Sequence, residues 1–272
     1  MTTHKTYRRV MTIAGSDPSG GAGVQADIKT ISACGCFATS AIVAVVDENT
    51  VGVKGVHPIP PSFVAGQIHS ILEDIGTDAV KIGMLHSSEL ILAVRDSLRA
   101  YPEVSNIVLD PVMVATSGDP LLCPDAVATL KEVLIPESRI ITPNIPEAEI
   151  LLGRKIGGHD ELPDAARELA SLGVSVLLKG GHLKDHTLTD IFYNAETGIT
   201  TTLASTRVDT PNTHGTGCTL SSAIASFLAK RCSLDLAVSN AKDYIAAAIA
   251  AGAGYSIGRG HGPVHHFHSF WK

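Results

Sequence analysis

Cysteine is scarce and shows no pairing pattern. Five residues (Cys34, Cys36, Cys123, Cys218 and Cys232) are scattered through 272, with no Cys-x-x-Cys spacing. An odd, dispersed set in so long a chain argues against a disulfide framework and makes a reducing cytoplasm the expectation. Basic residues are few as well: 21 Lys and Arg stand against 27 Asp and Glu, for a net charge of -6. Nucleic-acid binding, which leaves a basic footprint, finds no support. No apolar run is long enough to span a bilayer, and the Ala-rich stretch from Ile245 to Ala253 is too short and ends in glycines. His4, Lys5, Arg8 and Arg9 precede no long apolar segment, so the start reads as a solvated tail and not as a signal peptide. Internal repeats, low-complexity linkers and composition breaks are missing too, so residues 1–272 read as one domain with tails at 1–8 and 261–272. The histidines near the end (His261, His265, His266, His268) read as part of a solvated tail in preference to a metal site.

What is present is an alternation of short apolar runs and amphipathic stretches. Val10 to Ala14, Ala41 to Val46, Ala79 to Ile82, Asn106 to Leu109, Arg139 to Ile141 and Val174 to Leu178 are short, rich in Val and Ile, and lack clean alternation. Strands covered on both faces have that character. Between them Val24 to Ala33, Pro61 to Asp74, Ser88 to Ala100, Asp125 to Leu134 and Pro163 to Leu172 carry helical periodicity. The order predicts an α/β fold with a doubly wound, mostly parallel sheet and helices on both faces. Leu188 to Tyr193 and Ile199 to Leu203, flanking a turn-rich 194–198, read as an edge hairpin. Two long helices, Thr216 to Ala229 and Leu234 to Ala253, close the chain.

Ligands of such sheets sit beyond the carboxyl ends of the strands, and there the glycines cluster. Gly15-Ser16-Asp17-Pro18-Ser19-Gly20-Gly21-Ala22-Gly23 follows the first strand; its spacing is wrong for a dinucleotide fingerprint, and no Gly-Lys-Ser/Thr occurs for a Walker A loop. A plain turn is the other reading of this stretch. His214-Gly215-Thr216-Gly217-Cys218 opens a helix, where successive amides and the macrodipole favour an anion and a cysteine in the first turn is favoured as thiolate. The same residues also fit an ordinary helix start capped by Thr216, and Cys218 a small buried cysteine. Asn144 and Glu147 are three apart at a helix start, which can hold a hydrated Mg²⁺ but in isolation better suits a capping box. Lys179, ending a strand, could meet phosphates or solvent. Asp110, also at a strand end, could take metal or ligand.

These pieces occur in one order from about Arg9 to Gly260: AGSDPSGGAGVQADIKT at Ala14 to Thr30, VKIGML at Val80 to Leu85, LDPVMVATSG at Leu109 to Gly118, TPNIPEAE at Thr142 to Glu149, and NTHGTGCTLSSAIA at Asn212 to Ala225. The chain thereby resembles the ribokinase-like superfamily, and within it the hydroxymethylpyrimidine/phosphomethylpyrimidine kinases of thiamine biosynthesis. The resemblance implies two successive ATP-dependent transfers in one site, with Mg²⁺, in a cytoplasmic homodimer. It implies that Gly15, Ala22, Asp27, Met84 and Val112 line a pyrimidine pocket, and that Asn144 and Glu147 belong to a Mg²⁺/phosphate motif. Lys179 would approach the nucleotide phosphates. Gly215, Thr216 and Gly217 would form an anion hole, and Cys218 would stand where most relatives place an Asp base. One departure is Glu48, where the family commonly has a glutamine against the pyrimidine edge. An ionised carboxylate only accepts, which suits an aminopyrimidine with a protonated ring nitrogen and disfavours the phenolic oxygen of a pyridoxine-type substrate. A pyridoxal/pyridoxine kinase, and a non-catalytic pyrimidine-binding regulator on the same fold, are the alternatives the resemblance leaves.

Overall fold

The computed structural model describes residues 5–113, 122–181 and 187–271. Its strands are β1 (Arg9–Ala14), β2 (Phe37–Ile42), β3 (Ala44–Asn49), β4 (Gly52–Pro58), β5 (Ala79–Ile82), β6 (Ile107–Leu109), β7 (Ile140–Ile141), β8 (Ser175–Leu178), β9 (Thr187–Asn194) and β10 (Ile199–Thr206). The helices are α1 (Gly23–Ala33), α2 (Pro61–Asp74), α3 (Ser88–Arg99), α4 (Pro124–Thr129), α5 (Ile145–Leu152), α6 (Leu162–Ala170), α7 (Thr216–Ala229) and α8 (Leu234–Gly252). Eight strands make one sheet in the order β10-β9-β8-β7-β6-β5-β1-β2. It is parallel from β2 to β8, and the β9–β10 hairpin completes it in antiparallel pairing, as the turn at 194–198 predicted.

Neighbouring residues of one strand go to opposite faces, and both faces are buried. Val10, Ala79, Val108, Ile140 and Leu177 pack with α1, α7 and α8. Met11, Val80, Leu109, Ile141 and Val176 pack with the α2 to α6 side. The unbroken apolar runs therefore reflect a sheet with no wet face.

The chain runs from β1 to the edge strand β2 and then returns to β5 on the other side of β1. Neighbouring connections diverge at that point, opening a crevice at the carboxyl ends of β1 and β5. Gly15, Gly83, Asp110, Thr142 and Lys179 follow five adjacent strands at that end.

Three expectations change here. The apolar run Ala41 to Val46 is not one strand. The chain leaves the sheet after Ile42, where the Val43 amide donates to Ala14 O at 3.0 Å, and β3 pairs with β4 in a separate antiparallel ribbon. Along β3 the even positions Ala44 and Val46 are buried and Glu48 half-buried, while Val45, Asp47 and Asn49 face out. That period-two pattern marked a one-sided strand. The Ser16 amide donates to Ala44 O (2.9 Å) and the Val46 amide to Ser16 Oγ (3.1 Å), which fasten the ribbon over the first glycine loop.

The C-terminal histidines are not a solvated tail either. Val264 and His266 are 3% and 5% exposed. The Tyr244 hydroxyl donates to His266 O at 2.6 Å, and the His266 ring lies 3.2 Å from Thr219 Oγ1. Burial drives the His266 ring down to about 4, with Lys29 and His265 adding to the shift, so it is neutral at physiological pH. The amides of Arg259, Gly260 and His261 all donate to Thr50 at the ribbon's tip. At the other end, residues 5–7 are exposed as expected, and backbone pairing starts at Arg8, whose carbonyl accepts from Phe37.

The helix read over Asp125 to Leu134 is α only to Thr129. It continues as a π turn over Leu130–Leu134 and a 3₁₀ turn over Ile135–Glu137, where Pro136 cannot donate to an α ladder. Among the described residues no helix is long and apolar enough to cross a membrane.

Candidate active site

Two glycine loops meet at the crevice. The helix α7 begins after Gly215, which has φ 75° and contributes no side-chain cap. The cap expected from Thr216 is therefore absent, because Thr216 lies inside the helix. A Cβ on Gly215 would drive into Gly21 O and reach 3.2 Å from Ala22 Cα, so the two loops touch backbone to backbone. Among the described residues, the Gly217 and Cys218 amides find no protein acceptor. Two orphan donors at the positive end of a 14-residue helix make an anion site.

A buried ion pair clamps the loops together. Asp17 Oδ2 accepts from the amides of Gly21 (3.0 Å) and Ala22 (2.6 Å) and lies 2.9 Å from His214 Nε2. Although burial opposes its charge, hydrogen bonds from His214, Ser19 and Ala22 hold Asp17 far below the usual carboxylate range. Burial likewise opposes the His214 cation, and the Asp17 hydrogen bond and charge, with Glu48, override it and raise His214 above 6.5. A raised histidine stabilises the fold fully below about pH 6.5 and ceases to as pH climbs through its folded value; a depressed carboxylate stabilises above about pH 4 and ceases to as pH falls through its own. The clamp is thus strongest between those limits. The variant His214→Gln is expected to lose about 2 kcal/mol or more at pH 5.5, in the direction of a broken buried pair, and less at pH 9. Urea unfolding at the two pH values measures this; an equal loss at both would show that no protonated His214 is involved.

The phosphate side of the crevice carries Asp110, Asn144, Glu147 and Lys179. A Cβ on Gly217 would sit 3.2 Å from Lys179 Nζ and 3.3 Å from Asp110 Oδ2, which places both beside the anion site. Lys179 Nζ is 3.1 Å from Asp110 Oδ1, and the Thr142 hydroxyl donates to the same oxygen at 3.0 Å. Lys179 is raised despite its burial by Asp110 and Glu147, so it is a fixed cation and not a surface lysine. Asn144 and Glu147 form the capping box: the Glu147 amide donates to Asn144 Oδ1 at 2.9 Å and the Asn144 amide to Glu147 Oε2 at 2.8 Å. Yet Glu147 is more than a cap. Burial drives it up to about 7 in spite of Lys179, with Asp110 adding to the rise. A buried carboxylate whose charge is disfavoured beside a second carboxylate is a place where a cation would be welcome.

On the other side the first glycine loop meets the end of β5 and the ribbon. A Cβ on Gly15 would come 2.9 Å from Met84 Cε and 3.8 Å from Val46 Cγ2, so loop, strand end and ribbon converge there. Ala22 is half-buried at the mouth of α1, and Glu48 faces in from β3. Burial and the neighbouring Asp17 raise Glu48, partly offset by His214. Val112 is half-buried and packs on the α2 to α6 side of the core, lining a small void with Gly83, Leu85 and Pro111.

Asp27 is a correction. Expected on the pocket wall, it is 0% exposed, and its carboxylate accepts from Thr12 (2.6 Å), Ser222 (2.7 Å) and Lys81 (2.9 Å to each oxygen). It lies beneath the pocket. Its partner Lys81 went unremarked in the sequence, though a lysine within the buried strand Ala-Val-Lys-Ile was itself the signal. Cys218 is less readily a thiolate than its helix position suggested. Burial pushes its thiol up to about 11; Lys81 and the Gly23 amide work against that rise, and Asp27 and Asp110 with it. Val114 to Gly118 of the LDPVMVATSG stretch lie outside the described residues.

A family model described as phosphomethylpyrimidine kinase matches residues 17–265. The hydroxymethylpyrimidine/phosphomethylpyrimidine kinase of Rhizobium meliloti (strain 1021) is 48% identical, over 96% of this chain and 98% of its own. Among solved structures, an ADP complex of Bacillus subtilis pyridoxal kinase superposes with a TM-score of 0.88 at 35% identity, covering 96% and 98% of the two chains. Phosphomethylpyrimidine kinase from Clostridium difficile 630 superposes with 0.77 at 43%, covering 88% and 97%. Matched by the family model over residues 17–265 and 48% identical to a curated relative along nearly its whole length, this chain belongs to the phosphomethylpyrimidine kinase family.

Proposed function

We propose that the protein transfers the γ-phosphoryl group of ATP to the hydroxymethyl arm of 4-amino-5-hydroxymethyl-2-methylpyrimidine, and then a second phosphoryl group to the resulting monophosphate, for thiamine biosynthesis. The observation that carries this reading is the pair of orphan amides of Gly217 and Cys218, held between Lys179 and Asp110 on one side and the Gly15–Met84 pocket on the other. Phosphoryl transfer asks mainly for alignment and charge neutralisation. The amides at the start of α7 would take up charge developing on the transferred group, and Lys179 would offset that of the nucleotide.

The donor set fits Mg²⁺. No group of three or more His, Cys, Asp or Glu among the described residues forms a cage, but Mg²⁺ bound to a nucleotide keeps waters and needs only one or two carboxylates. Glu147, poised near neutrality, and Asp110 would supply them, with Asn144 fixing Glu147 through the capping box. When bound, the ion neutralises phosphate oxygens.

In the first transfer the substrate O–H bond breaks as its oxygen bonds to phosphorus and ADP departs; the proton passes to the sulfur of the Cys218 thiolate. Glu48 would accept from the 4-amino group and the protonated ring nitrogen. The exposed Val45, Val51 and Val56 of the ribbon offer a homodimer apolar surface to bury, for which sedimentation is the measurement.

ATP consumption with hydroxymethylpyrimidine, its monophosphate and pyridoxal tests the reading. Turnover with the first two, at kcat/KM at least about tenfold above pyridoxal, is expected; binding without any turnover would favour a regulator. For Glu48→Gln we expect about a tenfold lower kcat/KM on the aminopyrimidine, the scale of one charge-assisted hydrogen bond. Improved aminopyrimidine use would overturn the role given to Glu48.

A further inference from the structure

Lys81 and Asp27 are the least expected charges in the molecule. Both side chains are 0% exposed, and they meet at 2.9 Å between sheet and helices. Packing does not account for them, since apolar residues of the same volume hold such a place equally well or better.

Their location supplies the reason. Asp27 lies one helical turn beyond Gly23 on α1, and Ser222 one turn beyond Cys218 on α7, so each pair shares a helix face. The two faces meet: Ser222 Oγ donates to Asp27 Oδ1 at 2.7 Å. Lys81 reaches the same place from β5. A Cβ on Gly83 would stand 2.9 Å from Lys81 Nζ, which puts the ammonium directly under the loop that carries Met84. Asp27 also accepts from Thr12 of β1, the residue that pairs with Lys81 in the sheet. The ion pair is therefore one layer below Cys218, held from the sheet and both helices.

We propose that Lys81 and Asp27 are positioning residues for Cys218: the buried ammonium stabilises the thiolate, and the buried carboxylate holds that ammonium in place while competing with the thiolate for it. This rests on the reading of Cys218 as the proton acceptor, but its chemistry can be measured without turnover. Four charged groups face the thiol: Lys81 from β5, Asp27 from α1, Asp110 after β6 and Lys179 after β8. Lys81 is raised well above the lysine range against its burial, first by Asp27 and then by Cys218 and Asp110. Of the charged groups on Cys218, Lys81 acts most strongly, and in the lowering direction. The two ends of the pair thus act on Cys218 with opposite sign.

The test uses Asp27→Asn and the double variant Lys81→Met with Asp27→Asn, neither of which leaves a buried carboxylate unpaired. Iodoacetamide modification of Cys218 at pH 8, resolved by peptide mass spectrometry, reads the thiolate fraction in the ligand-free enzyme. Cys34 and Cys36, buried and raised, report on folding in the same sample because they react only if it opens. Exposed Cys123 calibrates the reagent. In Asp27→Asn the lone ammonium takes the thiolate as its counter-ion, and modification is expected to be at least tenfold faster than in the parent. The double variant is expected to be at least tenfold slower than Asp27→Asn, about one pH unit of titration. Equal Cys218 rates in the two variants, with Cys34 and Cys36 silent, would overturn the proposal. The reading of Cys218 as base would fail separately, through a first-transfer rate indifferent to the thiolate fractions so measured.

Discussion

Gly215→Ala is expected to lower kcat/KM for the first transfer at least about a hundredfold while the chain still folds. Two costs combine. The residue has φ 75°, where a Cβ strains the backbone by about 1–2 kcal/mol. The larger cost is contact: the Cβ meets Gly21 O and C, and backbone cannot rotate away as a flexible side chain can. Gly21 is itself held, since its amide donates to Asp17 and a Cβ there would meet the His214 ring. Relief must therefore come from moving the start of α7, which carries the Gly217 and Cys218 amides. Misplacing such groups by about 1 Å can cost about a hundredfold in rate. Gly153→Ala separates the two costs. It has φ 70°, at the end of α5, with nothing within 4 Å of an added Cβ. That variant should lose about 1–2 kcal/mol of stability, the same backbone strain, and keep its kinetics. Denaturant unfolding and steady-state rates on both proteins decide. If Gly215→Ala kept full activity, the contact between the two loops would have no part in forming the anion site.

How far these features were legible depends on how local their causes are. Parallel strands buried on both faces leave unbroken Val and Ile runs, so β1, β5, β6 and β8 were found within a residue. The ribbon β3–β4 was not, because β4 is half-exposed or exposed along its length and has no apolar period to detect. Its partner β3 adjoins β2 after a single residue, so the two merged into one run. At the site, residues set by backbone conformation were readable: glycines before a helix signal an anion site whatever the partners are. Charge pairs were not. The resemblance put Asp27 on a pocket wall, and nothing local pointed to a counter-ion 54 residues away in another element. The clamp Asp17–His214 joins residues 197 apart. Asn144 and Glu147 show the middle case. Spacing foretold the cap, but only tertiary burial, with Asp110 adding its charge and Lys179 working against both, raises Glu147 above an ordinary carboxylate.

Cys218→Ala should separate the two transfers, with the first falling about a hundredfold at pH 8.5, within the usual range for loss of a general base, and the second changing less than about tenfold. The anion site survives this change, because the amide remains and alanine is a good first-turn residue. The lost sulfur is needed only where a proton must leave. A hydroxymethyl group carries its proton into the transition state; the monophosphate acceptor is already an oxyanion and has little to give up. The position of the thiol near 11 adds a second signature. Thiolate is scarce at neutral pH, so the parent's first transfer should quicken about tenfold per pH unit below that value, and the second should not. In Cys218→Ala the slope of the first transfer should vanish. Separate assays from the alcohol and from the monophosphate, each run between pH 7 and 9, give all four profiles. Equal losses in both transfers would mean that Cys218 serves the site through its packing or its amide, and that the alcohol proton leaves by another route.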